Sequence, residues 1–157
     1  MSEHDGSARA IAAAQALGLA HTVTRHGAVG SLAEAARARG LEPRQIVKTM
    51  VVRLAEGDHR FVLLPGDREI AWPKLRALLG VNRASMPSAD AAYEITGYVR
   101  GTITPLGSSA SLPVVADASI SGTVSIGGGG PGVALTVDAA ELLAALHATV
   151  ADVTDAG

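Results

Sequence analysis

Apolar positions along the chain change their period several times, and each change marks an expected element. Ser7 to Leu17 is rich in alanine with an apolar face at helical spacing, and Gly18 supplies a stop. His21 to His26 alternates as a short strand. Ser31-Leu32-Ala33-Glu34 is a capping box, serine at the cap and glutamate three residues on, and it opens a helix that Gly40 ends. Ile46 to Leu54 is the clearest strand. A turn at Glu56-Gly57-Asp58 leads into its partner, Arg60 to Leu64. Pro73 suits the first residue of a helix that reaches Leu79 and stops at Gly80. Ser88 caps a short helix to about Ile95. Strands are expected near Leu112–Ala116, Thr123–Ile126 and Val133–Val137, separated by glycine clusters. Asp138-Ala139-Ala140-Glu141 repeats the capping box and begins a last helix through His147.

These elements intermix without regular βαβ alternation, and three hairpin-like strands cluster late in the chain. The pattern predicts an α+β fold: a mixed, mostly antiparallel sheet with surrounding helices. At 157 residues, with no internal repeat or linker, residues 1–157 fit one compact domain with a real core. The segment of residues 148–157 is expected to fray at its end.

Composition narrows the class. Hydrophobic residues make up 48% and mean hydropathy is positive, which argues for a soluble globular chain rather than disorder. With one Trp, two Tyr and one Phe, the core must be built from Ala, Val, Leu and Ile. The net charge of −2 gives no global basic signal, so any nucleic-acid contact is expected to be local. The absence of cysteine removes disulfides, thiolate metal sites and cysteine nucleophiles. The five histidines lack metal-ligand spacing, so neither metal nor cofactor is expected. The polar start does not read as a signal peptide, and no apolar run approaches the roughly 20 residues of a membrane span, so the expected location is cytoplasmic.

Lys48 is the most informative polar residue. Alternation puts it on one strand face with Ile46, Met50, Val52 and Leu54, so its ammonium points toward a core or a cleft and needs a partner or an anion. An edge-protecting charge and a snorkelling stem fit equally well. Thr49 faces the other way. His26 ends a strand and reads as a surface or satisfied side chain, and Asp117 ends an apolar strand where it could cap a turn or pair with a cation. The loop TGYVRGTITPLG, residues 96–107, is too aliphatic for a disordered linker. Its Thr102 and Thr104 hydroxyls and main-chain amides could hold a small polar ligand, although on spacing alone a plain helix-to-strand connection is the favoured reading. The glycine run 127–132 lacks a Gly-Lys-Ser/Thr ending and precedes a strand, so it reads as a hairpin rather than a phosphate loop. No carboxylate pair or nucleophile elbow is visible.

The run TGYVRGTITPLG, with its Gly101-x-x-x-Pro105 core, resembles the YbaK/EbsC family, which includes the editing domain inserted in bacterial prolyl-tRNA synthetases. Ile46-Val47-Lys48-Thr49-Met50-Val51-Val52 resembles that family's lysine-bearing strand. Further similarity runs through Leu64-Pro65-Gly66-Asp67-Arg68, Leu112 to Asp117 and Val124 to Gly128, so it covers nearly the whole chain. The resemblance implies a YbaK-like fold and a trans-editing deacylase that hydrolyses the ester of mischarged tRNA, with tRNA(Pro) the expected substrate. It implies that Lys48 anchors the substrate and that Gly101, Thr102, Ile103, Thr104 and Pro105 hold the aminoacyl end. Thr49, His26, Asp117 and Gly128 are further candidates around the pocket. The implied partners are the aminoacyl-tRNA 3′ end and prolyl-tRNA synthetase or another translation factor. Two runs where family members often carry basic residues read Gly107-Ser108-Ser109-Ala110-Ser111 and Gly129-Gly130-Pro131, which predicts weak independent tRNA binding. The alternative readings are a non-catalytic aminoacyl- or nucleotide-binding module and a synthetase-associated interaction domain of the same fold.

Overall fold

The computed structural model describes residues 5–27 and 31–156. Helix α1 (Ser7–Ala16) precedes strand β1 (Thr22–Arg25) and helix α2 (Leu32–Ala38), whose Ser31 cap accepts the Glu34 amide at 3.1 Å. A single 3-10 turn (Pro43–Gln45) feeds strand β2 (Ile46–Ala55), which turns back into β3 (Asp58–Pro65). Strand β4 (Arg68–Ile70) and helices α3 (Trp72–Leu79) and α4 (Ala89–Thr96) follow, with Pro73 as the second helical residue rather than the first and Ser88 capping α4. Strands β5 (Val114–Asp117), β6 (Thr123–Gly127) and β7 (Val133–Asp138) lead to α5 (Ala139–Ala145), capped by Asp138. Two short strands, β8 (Thr149–Ala151) and β9 (Thr154–Ala156), complete the described chain.

Seven strands form one sheet in the order β1-β7-β6-β2-β3-β5-β8, and β4 pairs with β9 beside it. Antiparallel pairing carries most of the register, as at Val47↔Pro65 through Arg53↔His59, while the parallel contacts β2–β6, β3–β5 and β5–β8 span only two or three residue pairs each. The fold is therefore α+β with a mixed, mostly antiparallel sheet.

Both faces of the sheet are covered, and strand alternation sorts the apolar residues between them. Val47, Val51, Phe61, Leu63 and Leu135 pack with Ala10 and Ala14 of α1, Leu142 of α5 and Tyr98. Val52, Val62, Leu64 and Val115 pack on the other face with Leu75 of α3 and Val153.

Two expectations need correction. The segment after His147 is held through residue 156, with the last residue outside the described ones: β8 adds to the sheet edge, β9 pairs with β4, and Val153 and Thr154 are fully buried. The short apolar alternation there pairs with distant strands, which overrides the tendency of a terminus to loosen. The three late strands are also not one cluster. Only β6 and β7 form a hairpin, while β5 lies between β3 and β8.

Candidate functional site

The sheet has a gap along β2. One edge of β2 pairs with β3 throughout. On the other edge, β6 reaches only Ile46 and Val47, and a lone bridge joins Arg53 to Ser85. Main-chain groups of successive strand residues alternate between the two edges. The Ile46 carbonyl accepts from Gly66 on the β3 side, whereas Arg53 exchanges bonds with Ser85 on the other. By that parity Thr49 and Val51 turn their N–H and C=O groups into the gap, where no strand among the described residues meets them. A cavity of about 600 Å³ lies there. It is walled by Met86 to Ala89 on one side, by Arg100, Gly101 and Ile103 on another, and by Arg39 and Gly127 near the end of the β2–β6 pairing.

The loop that forms one wall is fixed from within. Tyr98 is fully buried, and its hydroxyl donates to the Leu106 carbonyl at 2.6 Å, joining the loop's two ends. Burial raises the pKa of that phenol, against a lowering contribution from Arg9. Arg9 of α1 lies 4.4 Å from the ring centroid, and donates to the carbonyls of Gly107 (Nε, 2.7 Å) and Thr96 (Nη2, 3.1 Å). At Gly101 φ is +90°, a conformation that side chains strain to adopt, and open space lies where a Cβ would stand.

The sequence candidates divide. Lys48, Thr49, Gly101 and Ile103 line the cavity. The Lys48 ammonium nevertheless donates at 2.9 Å to the carbonyl of Arg68 in β4, and Arg68 lines a separate cleft of about 200 Å³. The Thr49 hydroxyl is buried without a hydrogen-bond partner. Thr102 and Thr104 do not offer their hydroxyls to the cavity. Thr102 donates to the Val99 carbonyl at 2.6 Å, and Thr104, fully buried, accepts from the Leu106 amide at 3.3 Å. Short polar side chains in a tight loop satisfy its own backbone first. Pro105 follows Thr104 away from the cavity lining.

His26 lies off the cavity too. Its Nδ1 meets the Gly27 carbonyl at 2.9 Å and its amide donates to the carbonyl of Gly132, in the turn between β6 and β7. Gly128 is glycine for a steric reason: a Cβ there would stand 2.7 Å from Val133. Asp117 is 2% exposed and accepts from the amides of Val153 (3.0 Å) and Ser119 (3.1 Å) and from the Ser119 hydroxyl. Burial opposes its charge, but these donors outweigh it and hold the carboxyl below its usual pKa. It caps the turn after β5 and ties down the chain after β8.

Sequence reading missed Arg39. Nη1 donates to the buried Ser125 hydroxyl at 3.2 Å, while Nε is buried with no partner, and burial lowers the guanidinium pKa. Its position as the cap residue of α2 suggests only a favourable helix-dipole contact, so no local signal marked it. Tyr98 and Arg9 were equally silent, because the Tyr98 bond depends on how the loop folds back on itself and the Arg9 bonds join segments far apart in sequence. Among the described residues, no three His, Asp or Glu side chains gather in metal-ligating positions. No helix among them is long and apolar enough to cross a membrane.

Comparison with known proteins bears on this geometry. The family model of the aminoacyl-tRNA editing domain matches residues 26–145. The chain is 35% identical over 106 residues to the proline–tRNA ligase of Trichlorobacter lovleyi, covering 68% of this chain and 18% of that one. It is 38% identical over 80 residues to the proline–tRNA ligase of Desulfotalea psychrophila, covering 51% and 14%. The chain thus spans less than a fifth of the length of these curated relatives. A crystal structure of a candidate trans-editing enzyme for prolyl tRNA synthetase superposes with a TM-score of 0.88 at 28% identity, over 96% of this chain and 97% of that one. With the family model, the homologous ligase segments and the whole-chain superposition in agreement, the chain belongs to the aminoacyl-tRNA editing domain family.

Proposed function

We propose that the protein is an aminoacyl-tRNA deacylase that edits in trans, hydrolysing the ester between a wrong amino acid and the 3′ end of tRNA(Pro) in the cytoplasm. The observation that carries this reading is the gap in the sheet, where unpaired main-chain groups of Thr49 and Val51 face the backbone of Gly101 across one cavity. An aminoacyl ester is already activated, so fixing it in register with a water contributes more than a protein nucleophile would. Water oxygen bonds to the carbonyl carbon, the bond from that carbon to the ribose oxygen breaks, one water proton ends on the ribose hydroxyl, and the other leaves to solvent as the freed acid ionises. Main-chain N–H groups aimed into the cleft suit the negative charge that develops on the carbonyl oxygen. Lys48 would anchor the substrate with the donors that its bond to Arg68 leaves free.

One observation favours a second reading, a module that binds an aminoacyl or nucleotide group without turning it over. The Lys48 ammonium is already engaged by Arg68. Purified protein incubated with tRNA(Pro) charged with alanine, cysteine, serine or proline separates the two. Release of one of the non-cognate amino acids, abolished in a folded Gly101→Val variant, is expected. Binding of every charged tRNA with no release would establish the module instead.

A further inference from the structure

The cavity is cationic in a chain that is not. Its described lining residues include Arg39, Lys48 and Arg100 and no carboxylate, although the whole chain carries a net charge of −2. Arg100 is exposed and free to turn into the cavity, whereas Lys48 is held by Arg68. Arg39 is the unusual member. A cation at a helix C-terminus gains from the dipole, and that alone would explain an arginine projecting into solvent. It does not explain one turned inward onto Ser125, with a buried Nε lacking any partner and no ion pair to a carboxylate among the described residues. A partly desolvated charge without a counter-ion is a standing cost to the fold, and an anion entering the cavity would relieve it. Arginine does not escape by losing its proton, because its pKa starts too high.

The chemistry of the proposed substrate selects the anion. In an aminoacyl ester the carboxylate is consumed in the bond, so the negative charge near the reacting carbon is phosphate. We propose that Arg39 and Arg100 form an anion subsite in this cavity that takes the phosphodiester of the nucleotide whose ribose carries the ester. The identity of that nucleotide rests on the proposed function; the anion subsite does not. The planar fork of arginine suits phosphate oxygens, and a phosphate held there would fix the terminal ribose against the Gly101 wall.

The test uses AMP and adenosine as probes of the full chain, with binding followed by calorimetry or chemical-shift titration. The expected result is about tenfold tighter binding of AMP than of adenosine, the scale of one hydrogen-bonded charge contact. In Arg39→Gln the preference should vanish while adenosine binding stays unchanged. Equal affinities in the native protein, or an AMP preference that survives in folded Arg39→Gln, would overturn the subsite. If Arg39→Gln does not fold, the Arg39 Nε–H resonance of the native protein decides. A shift with AMP but not adenosine supports the subsite, and a resonance unmoved by both overturns it. A shift produced by free alanine and not by AMP would assign the site to the released carboxylate and overturn the phosphate assignment. None of these measurements uses turnover, so a protein with no deacylase activity could still pass them, and an active deacylase could fail them.

Discussion

Thr49 carries a buried hydroxyl with no partner inside the protein, at the edge of the cavity. Such a group costs stability when nothing bonds to it. Thr49→Val should therefore raise unfolding free energy by about 1 kcal/mol while deacylation falls, checked by denaturant melts beside ester turnover. A stabilised variant with full activity would make Thr49 a packing residue. Lys48→Met points the other way. It removes the bond to the Arg68 carbonyl, so stability should drop by about 1 kcal/mol, and turnover by at least about tenfold if the ammonium holds substrate. Unaltered turnover with lowered stability would confine Lys48 to bracing β4. The strand face of Lys48 was legible, since Met50, Val52 and Leu54 do pack together. The destination of its ammonium was not, because β4 gives too short an alternation to see in sequence. Asp117 adds a pH dependence. Its folded pKa lies below the ordinary carboxylate value, so its stabilisation is complete above that value and disappears as pH falls through the folded pKa. Asp117→Asn should lower stability near neutrality and flatten the acid limb that begins at the ordinary carboxylate range, read by melts from neutral to acid pH.

At the level of elements, capping chemistry was the most readable part of the sequence. Ser31, Ser88 and Asp138 each accept the amide three residues on, as their spacing suggested. The loop of residues 97–107 was recognisable as a special segment, but its mechanics were not. The family resemblance implied Thr102 and Thr104 around a ligand, whereas the fold uses both hydroxyls to close the loop. The members that set its shape, Tyr98 and Arg9, connect it to its own far end and to α1. Tyr98→Phe removes one buried hydroxyl and leaves the Leu106 carbonyl unpaired, so a loss of about 1 to 3 kcal/mol is expected. Arg9→Ala should loosen the same wall with less effect on the core, since its contacts lie at the surface end of the loop. If the wall positions substrate, both variants should lower kcat/KM more than their stability losses explain. Equal activity in folded Arg9→Ala would show that the loop keeps its shape without the clamp.

For the molecule as a whole, charge and connectivity make separate demands. A net charge of −2 with cations gathered at one cavity predicts weak binding of uncharged tRNA and a shallow dependence on salt, measured by filter binding from low to physiological ionic strength. Nanomolar affinity at physiological salt would contradict it. Connectivity predicts that deleting residues 149–156 costs at least about 3 kcal/mol, because buried Val153 leaves the core and Asp117 loses a donor. Fold class was legible because hairpins and caps are local. The order of strands was not, since parallel contacts of two or three residue pairs leave no periodic trace. That strand order also sets a timetable for synthesis. β1 must wait for β7, and β4 for β9, before either has a neighbour to bond. With translation adding about 5 to 20 residues per second, the first strand stays unpaired for several seconds on the ribosome. Closure of the sheet thus waits until residues 133–156 have been made, and early exposed edges such as Thr22–Arg25, rich in threonine rather than large apolar residues, are well suited to that wait.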